Sequence, residues 1–78
     1  MSNKLKPTDW RTQVAIFEKL GFVFERERSS HLCYTKEGVA RPVIIPKYKE
    51  IGLDIINSNI KTAGITRKRY MEILREIH

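Results

Sequence analysis

The sequence predicts an α+β domain in which helices pack on one face of a small three-stranded antiparallel sheet, in the order α-β-β-β-α-α. Three observations support this prediction. Apolar residues recur at helical spacing near the start, β-branched and aromatic residues then alternate partly with polar ones over about residues 22–45, and helical spacing returns after Pro46. The 78 residues suffice for one modest hydrophobic core, so we expect residues 1–78 to form a single domain.

The first helix is predicted from the segment KPTDWRTQVAIFEKLG, residues 6–21. Pro7 and the two residues after it, Thr8 and Asp9, are typical of a helix start. Gly21 marks the end, because glycine commonly follows the last helical residue. One face of this helix is predicted to be apolar, through Trp10, Val14, Phe17 and Leu20.

Three strands are predicted over Phe22 to Arg28, Ser30 to Lys36 and Val39 to Ile45. The pair Glu37-Gly38 predicts a tight hairpin between the second strand and the third. Pro42 has no backbone N–H to donate, and it therefore favours an edge position for the third strand.

Two further helices are predicted after Pro46, which ends the sheet. The second helix begins between Lys49 and Asp54 and ends at Gly64. Its apolar spacing comes from four isoleucines, Ile51, Ile55, Ile56 and Ile60. Thr66 is the predicted cap of the third helix, whose apolar residues are Tyr70, Ile73, Leu74 and Ile77.

The chain is strongly basic. Fifteen Lys and Arg against nine Asp and Glu give a net charge of +6, which favours nucleic acid or an acidic protein as the partner. A charged surface that only maintains solubility explains the same excess. Charge alone therefore does not select a function.

Cys33 is the only cysteine, so no intramolecular disulfide is expected and a reducing cytoplasm fits the chain. We expect its thiol to behave as a small buried hydrophobe. The N-terminal residues lack the apolar region of a signal peptide, and no stretch approaches about 18 apolar residues. Neither secretion nor association with a membrane is expected.

His31 is the side chain best suited to proton transfer, because histidine changes its charge near neutral pH. An ordinary surface histidine is the alternative interpretation. On one strand face, His31 and Cys33 would lie about 7 Å apart, too far for a nucleophilic thiol-imidazole pair. No cysteine or carboxylate stands at a ligand spacing from His31, so neither a metal nor another cofactor is expected.

Three stretches of the sequence resemble the HicA toxins, a family of small metal-independent mRNA interferases. They are LGFVFERERSSHLCYTKEG, VIIPKYKE and IINSNIKTAGITRKRYMEIL, and the resemblance extends over about residues 14–74. It implies a fold similar to the double-stranded-RNA-binding domain. Leu20-Gly21-Phe22 matches the end of the family's first helix, Ser30-His31 matches its Ser-His motif, and Ala63-Gly64-Ile65 matches a later turn.

Three positions depart from the family's pattern. Ser29 stands where the family usually has glycine, and Asn59 stands where its helix is usually apolar. Tyr48 follows Pro46 at the spacing of the family's second histidine. The Ser-His motif itself is retained.

The resemblance implies an endoribonuclease toxin that cleaves mRNA in the cytoplasm without a cofactor and is neutralised by a HicB-like antitoxin. His31 would be the catalytic residue, with Ser30 beside it at the RNA. Because RNA supplies its own nucleophile, the 2′-hydroxyl, such an enzyme needs only a base, an acid and cations for the phosphate. The candidate cations are Lys36, Arg41, Lys47 and Lys49.

Two other functions fit the same sequence. A non-catalytic module of the same fold would bind structured RNA through its shape and phosphates. A helix-turn-helix protein would bind DNA through residues 54–77, with Arg67, Lys68 and Arg69 at the duplex. A helical hairpin packed on the sheet explains the spacing of apolar residues over 54–77 as well. Ile60 stands where the helix-turn-helix motif usually has a small residue, which favours the hairpin.

Overall fold

The chain folds into three helices and a three-stranded antiparallel sheet in the computed structural model, which describes residues 4–77. The elements are α1 Trp10–Lys19, β1 Val23–Arg28, β2 His31–Thr35, β3 Val43–Pro46, α2 Leu53–Ala63 and α3 Arg67–Ile77. The strands lie in the order β1-β2-β3. The predicted fold class and element order are confirmed. Among the described helices, none is long and apolar enough to cross a membrane.

Helix α1 ends as its glycine predicts. Gly21 has a φ of +96°, and its amide donates a hydrogen bond to the Glu18 carbonyl. The Phe22 amide reaches back to the Phe17 carbonyl at 3.0 Å. These two bonds form a Schellman motif, which satisfies the last carbonyls of the helix and needs a residue that tolerates positive φ.

The buried face of α1 differs from the predicted one. Ile16 and Phe17 are fully buried, and so is Gln13. The other predicted members of the face lie only at the margin of the core, namely Trp10, Val14 and Leu20. Gln13 Nε2 donates hydrogen bonds to Thr8 Oγ1 and to Tyr70 Oη, at 2.8 and 2.7 Å, whereas its buried Oε1 has no hydrogen-bond partner among the described residues. Since α1 contacts both α3 and β3, more than one of its sides is covered.

The tight hairpin joins β1 to β2, whereas the sequence predicted it between β2 and β3. Arg28 and His31 are paired residues, so Ser29 and Ser30 form a two-residue connection. Both serines have positive φ, +51° and +64°. Positive φ at both central residues is the signature of a type I′ turn, whose twist matches that of the strands.

Strand β3 begins at Val43, later than the predicted Val39. Glu37-Gly38 does form a turn, in which the Val39 amide donates to the Lys36 carbonyl at 3.0 Å, but strand pairing resumes only where Val43 meets Tyr34. Pro42 lacks an N–H and restricts the residue before it, so a regular strand starts only after it. β3 is an edge strand, as the proline predicts.

The sheet has an inner face covered by helices and an outer face that is not. Leu32 and Tyr34 of β2, with Val43 and Ile45 of β3, join the helices in one hydrophobic core. Because successive strand residues point to opposite sides, the remaining residues of these strands define the outer face, among them His31, Cys33 and Ile44. Cys33 is buried there as a free thiol, and its prediction as a small buried residue is confirmed.

Helix α2 is tied to the edge strand by a buried amide. Asn59 Nδ2 donates a hydrogen bond to the Ile44 carbonyl at 2.8 Å. This explains a polar residue at a position where an apolar one is usual in the HicA pattern. The helix ends at Gly64, whose φ is +71°, within the predicted Ala-Gly-Ile turn.

Helix α3 starts at its predicted cap and packs against α1. Thr66 Oγ1 accepts a hydrogen bond from the Arg69 amide at 3.0 Å. Tyr70 and Ile73 are buried in the core. Burial raises the pKa of the Tyr70 phenol above its ordinary value, although the hydrogen bond from Gln13 acts in the opposite direction.

Candidate active site

His31 is the first residue of β2 and lies exposed on the outer face, directly after the hairpin turn. Its Nδ1 is 2.9 Å from the Ser29 carbonyl oxygen. A carbonyl can only accept, so Nδ1 is the donor in this hydrogen bond and Nε2 of the neutral ring holds the lone pair. That tautomer presents Nε2 as a proton acceptor, the form that a general base requires.

The turn before His31 is held from both sides. Ser30 carries the second positive φ, and its carbonyl accepts a hydrogen bond from the Lys47 amide at 2.9 Å. Ser29 has the left-handed conformation that glycine adopts freely, which explains the glycine usual at this position of the family pattern. With serine there, that conformation costs about 1–2 kcal/mol.

Tyr48 lies beside His31. The two rings are 6.3 Å apart between centroids and are nearly perpendicular. The Tyr48 amide donates to the Pro46 carbonyl, and the Tyr48 carbonyl accepts from the Trp10 amide at 3.1 Å, which fixes the backbone at this point. The spacing that aligns Tyr48 with the family's second histidine therefore places an exposed aromatic ring next to the imidazole.

His31 borders two open cavities. The larger, which we call the α2 groove, has a volume of about 600 Å³ and lies between β3 and α2. Its walls are His31, Arg41, Pro42, Ile44, Pro46, Asp54, Ile55, Ser58, Asn59 and Thr62. The smaller, which we call the hairpin cavity, has a volume of about 310 Å³ and is lined by Arg26, Arg28, Ser29, His31, Cys33 and Ile44.

Arg26 and Arg28 line the hairpin cavity beside His31, although neither is predicted from the sequence as a site residue. Arg28 pairs with His31 across the hairpin and Arg26 pairs with Cys33, so both arginines lie on the outer face. Within residues 4–77 neither guanidinium forms an ion pair. The alternating charges of ERER contain the signal, but it becomes visible only when the tight turn is placed at Ser29 and Ser30.

Two of the predicted site residues meet in the α2 groove, namely His31 and Arg41. Ser30 contributes its backbone to the turn, and its side chain lines neither cavity. Lys49 is exposed in the connection between β3 and α2 and also lines neither.

The fold does not place the ammonium groups of Lys36 and Lys47 beside the His31 imidazole. Lys47 Nζ pairs with Glu27 at 3.2 Å, and Glu27 stands opposite Leu32, on the inner side of the sheet. Lys36 follows the far end of β2, five residues or roughly 16 Å from His31 along the strand. Its ammonium lies 5.8 Å from the Phe22 ring centroid.

The described part of the chain contains a second cationic surface, a groove on α3 lined by Arg67, Lys68, Met71 and Arg75. None of these residues lines the α2 groove or the hairpin cavity. Across residues 4–77 there is also no group of three His, Cys, Asp or Glu side chains arranged to hold a metal ion.

Comparison with known proteins identifies one family. Residues 10–65 match the family model described as "HicA toxin of bacterial toxin-antitoxin", and the match includes His31, both cavities and every predicted site residue. This match confirms the resemblance found in the sequence. The matched residues end before α3. No curated protein and no solved structure gives a significant match.

Proposed function

The chain belongs to the HicA toxin family, and from that membership we propose that it is an endoribonuclease toxin that cleaves mRNA in the cytoplasm with His31 as the catalytic residue. Residues 1–78 act as one domain in this proposal. The observation that supports it best is the exposed imidazole of His31, with a free Nε2, between two cavities that carry three arginines.

The reaction would use the 2′-hydroxyl of the RNA as the nucleophile. A bond forms between O2′ and the adjacent phosphorus, and the bond from phosphorus to O5′ breaks. With His31 as the general base, Nε2 of the neutral ring takes the proton from O2′ and water protonates O5′. With His31 as the general acid, the imidazolium protonates O5′ and water takes the proton from O2′. Either route leaves a 2′,3′-cyclic phosphate and a free 5′-hydroxyl.

The arginines supply the cations that this reaction needs. Negative charge grows on the non-bridging phosphate oxygens in the transition state, and fixed guanidinium groups stabilise it. Arg28 is the cross-strand neighbour of His31, while Arg26 and Arg41 lie farther along the two cavities. Tyr48 offers an exposed ring on which an unpaired base can stack.

Purified protein is expected to cleave an unstructured RNA in the presence of EDTA, because this chemistry uses a hydroxyl of the substrate, protein side chains and water, and no metal ion. End analysis should find 2′,3′-cyclic phosphate or 3′-phosphate termini. His31→Ala protein purified in parallel controls for a contaminating nuclease. Products with 3′-hydroxyl ends, or cleavage that appears only when magnesium is added, would contradict the proposed reaction.

Arg28→Ala is expected to slow cleavage at saturating RNA by roughly 10- to 100-fold, since a charge-assisted hydrogen bond contributes about 1.5–3 kcal/mol. Lys36→Ala is the matched control: it removes the same charge from an exposed position at the far end of β2. Single-turnover kinetics should show a large loss for Arg28→Ala and little change for Lys36→Ala. Equal losses would mean that only overall charge matters.

Membership of the family implies a cognate antitoxin. We propose a HicB-like protein that covers His31 and the arginines of both cavities with an acidic surface, because opposite charges accelerate the encounter and the covered site no longer admits RNA. The residues that bind substrate and those that bind antitoxin would then be largely the same.

The α3 groove is the feature that favours a second candidate function. Its three cations, Arg67, Lys68 and Arg75, are suited to nucleic-acid phosphates, as a helix-turn-helix protein would require. Saturable binding of duplex DNA by a protein that leaves single-stranded RNA intact would favour that function. Binding of RNA without cleavage would favour the non-catalytic module.

A further inference from the structure

The α2 groove contains a carboxylate, Asp54, that the proposed reaction does not use. We propose that this groove binds a guanine base of the RNA through the Asp54 carboxylate, so that the protein prefers a guanosine next to the bond that it cleaves. The proposal rests on the RNA substrate proposed above and specifies which nucleotide the site selects.

The polar wall of the groove is one side of α2. Asp54, Ser58 and Thr62 are spaced four residues apart, so they lie above one another on the same side of the helix, and all three line the groove. The hydrogen bond from Asn59 to the Ile44 carbonyl fixes this helix against β3. The wall is therefore held in place before any ligand binds.

Asp54 lies at the His31 end of the groove. His31 pairs with Pro46, and Asn59 lies opposite Ile44, two residues earlier in β3. Six residues connect Pro46 to Leu53, from which we infer that α2 runs back along β3. Going back from Asn59 to Asp54 in α2 is then about 7.5 Å toward Pro46. Going from Ile44 to Pro46 is about 6.6 Å in the same direction. A nucleotide whose phosphate is at His31 can therefore place its base against Asp54.

A carboxylate is the wrong group for holding phosphate. It repels the RNA backbone and opposes Arg41, which lines the same groove. Within the described chain the Asp54 carboxylate has neither an ion pair nor a hydrogen bond, so both of its oxygens remain acceptors for a ligand. A ligand group that offers hydrogen-bond donors and no negative charge fits it. In RNA these groups are the ribose 2′-hydroxyl, which offers one donor, and the bases, of which one presents two donors side by side to the two oxygens.

Guanine is the base whose donors fit best. Its Watson–Crick edge presents N1–H and the N2 amino group side by side, and these match the two oxygens of one carboxylate. Adenine and cytosine each pair a donor with an acceptor on that edge, and uracil has a single donor between two acceptors. The apolar side chains of Ile44 and Ile55 contact a flat ring, and the hydroxyls of Ser58 and Thr62 can donate to its acceptors.

The test measures binding in a His31→Ala background, in which the RNA stays intact. The probes are four fluorescently labelled oligouridylates, one all-uridine and three with a single central G, A or C, and the readout is fluorescence anisotropy. The guanosine probe should bind more tightly than the others by roughly 5- to 150-fold, the discrimination typical of a bidentate contact to a base.

Asp54→Asn should abolish this preference while binding the all-uridine probe slightly more tightly, because a negative charge has left the groove. Glu37→Gln is the matched control: it makes the same charge change in the exposed turn after β2, and it should strengthen binding of all probes equally and keep the guanosine preference. Asp54→Ser, which also removes the carboxylate, should behave as Asp54→Asn does.

The possible outcomes separate the two proposals. A guanosine preference that survives both Asp54 substitutions, or a His31→Ala parent with no preference among the four probes, overturns the guanine site and leaves RNA binding intact. A parent that binds none of the probes overturns the proposed function and the guanine site with it. Retained affinity of the Asp54 variants for the all-uridine probe shows that they are folded.

Discussion

His31→Ala is expected to reduce cleavage of an unstructured RNA by about 100- to 10,000-fold, the usual contribution of general acid-base catalysis. RNA affinity should scarcely change, because the formal charge of +6 counts His31 as neutral and the arginines of both cavities remain. Growth arrest on expression should disappear in parallel. Single-turnover cleavage and fluorescence anisotropy on the same RNA separate the chemical step from binding.

The substitution should leave the fold intact. His31 is exposed, and its side chain makes one hydrogen bond, to the Ser29 carbonyl. The bond between the Ser30 carbonyl and the Lys47 amide involves only backbone and survives the change. Circular dichroism should therefore match the parent. Undiminished cleavage by such a folded variant would exclude His31 from catalysis, and equal losses of binding and cleavage would make it a contact residue.

Phe17→Ala is expected to lower the free energy of unfolding by about 3–5 kcal/mol, the usual cost of truncating a fully buried phenylalanine. Phe17 has no exposed surface and packs edge-to-face on Phe22, with ring centroids 5.7 Å apart. A domain of this length has a total stability of about 4–12 kcal/mol. The variant should therefore unfold at a much lower urea concentration than the parent, without any change in the site.

Val23→Ala is the matched control for this substitution. Val23 is 62% exposed on β1, so its truncation should cost less than about 1 kcal/mol. Urea titrations followed by circular dichroism, with Trp10 fluorescence as a second probe, give both values. Similar midpoints for the two variants would contradict a core built around α1.

The predicted ends of the helices are largely correct because they depend on local chemistry. Gly21 and Gly64 both have positive φ, a conformation that glycine adopts without steric cost, and Thr66 accepts the hydrogen bond expected of a cap. The sheet ends at Pro46, one residue beyond the predicted end of the third strand at Ile45. In each case a single side chain, or the lack of one, determines the backbone of its neighbours.

The incorrect strand predictions concern which segments of the chain pair with each other. Glu37-Gly38 is the stronger turn signal in the sequence, yet the two-residue hairpin formed at Ser29 and Ser30, where both residues adopt a conformation that is unfavourable for serine. Burial of Leu32 and Tyr34 in the core determines that register, since a shift by one residue would turn both side chains outward. No property of the two serines alone indicates it.

The sequence by itself determined the element order, the helix ends and the family, because each depends on residue type and local spacing. The proposal of His31 as the catalytic residue also comes from the sequence. Only the tertiary structure decided which charges surround His31. Strand pairing places Arg26 and Arg28 on the same face as His31, and α2 contributes Asp54 to the groove that His31 lines. The Lys47 ammonium instead pairs with Glu27, which stands opposite the buried Leu32. These neighbours come from segments distant in the chain, and their proximity follows from the burial of the shared core and the register that it imposes.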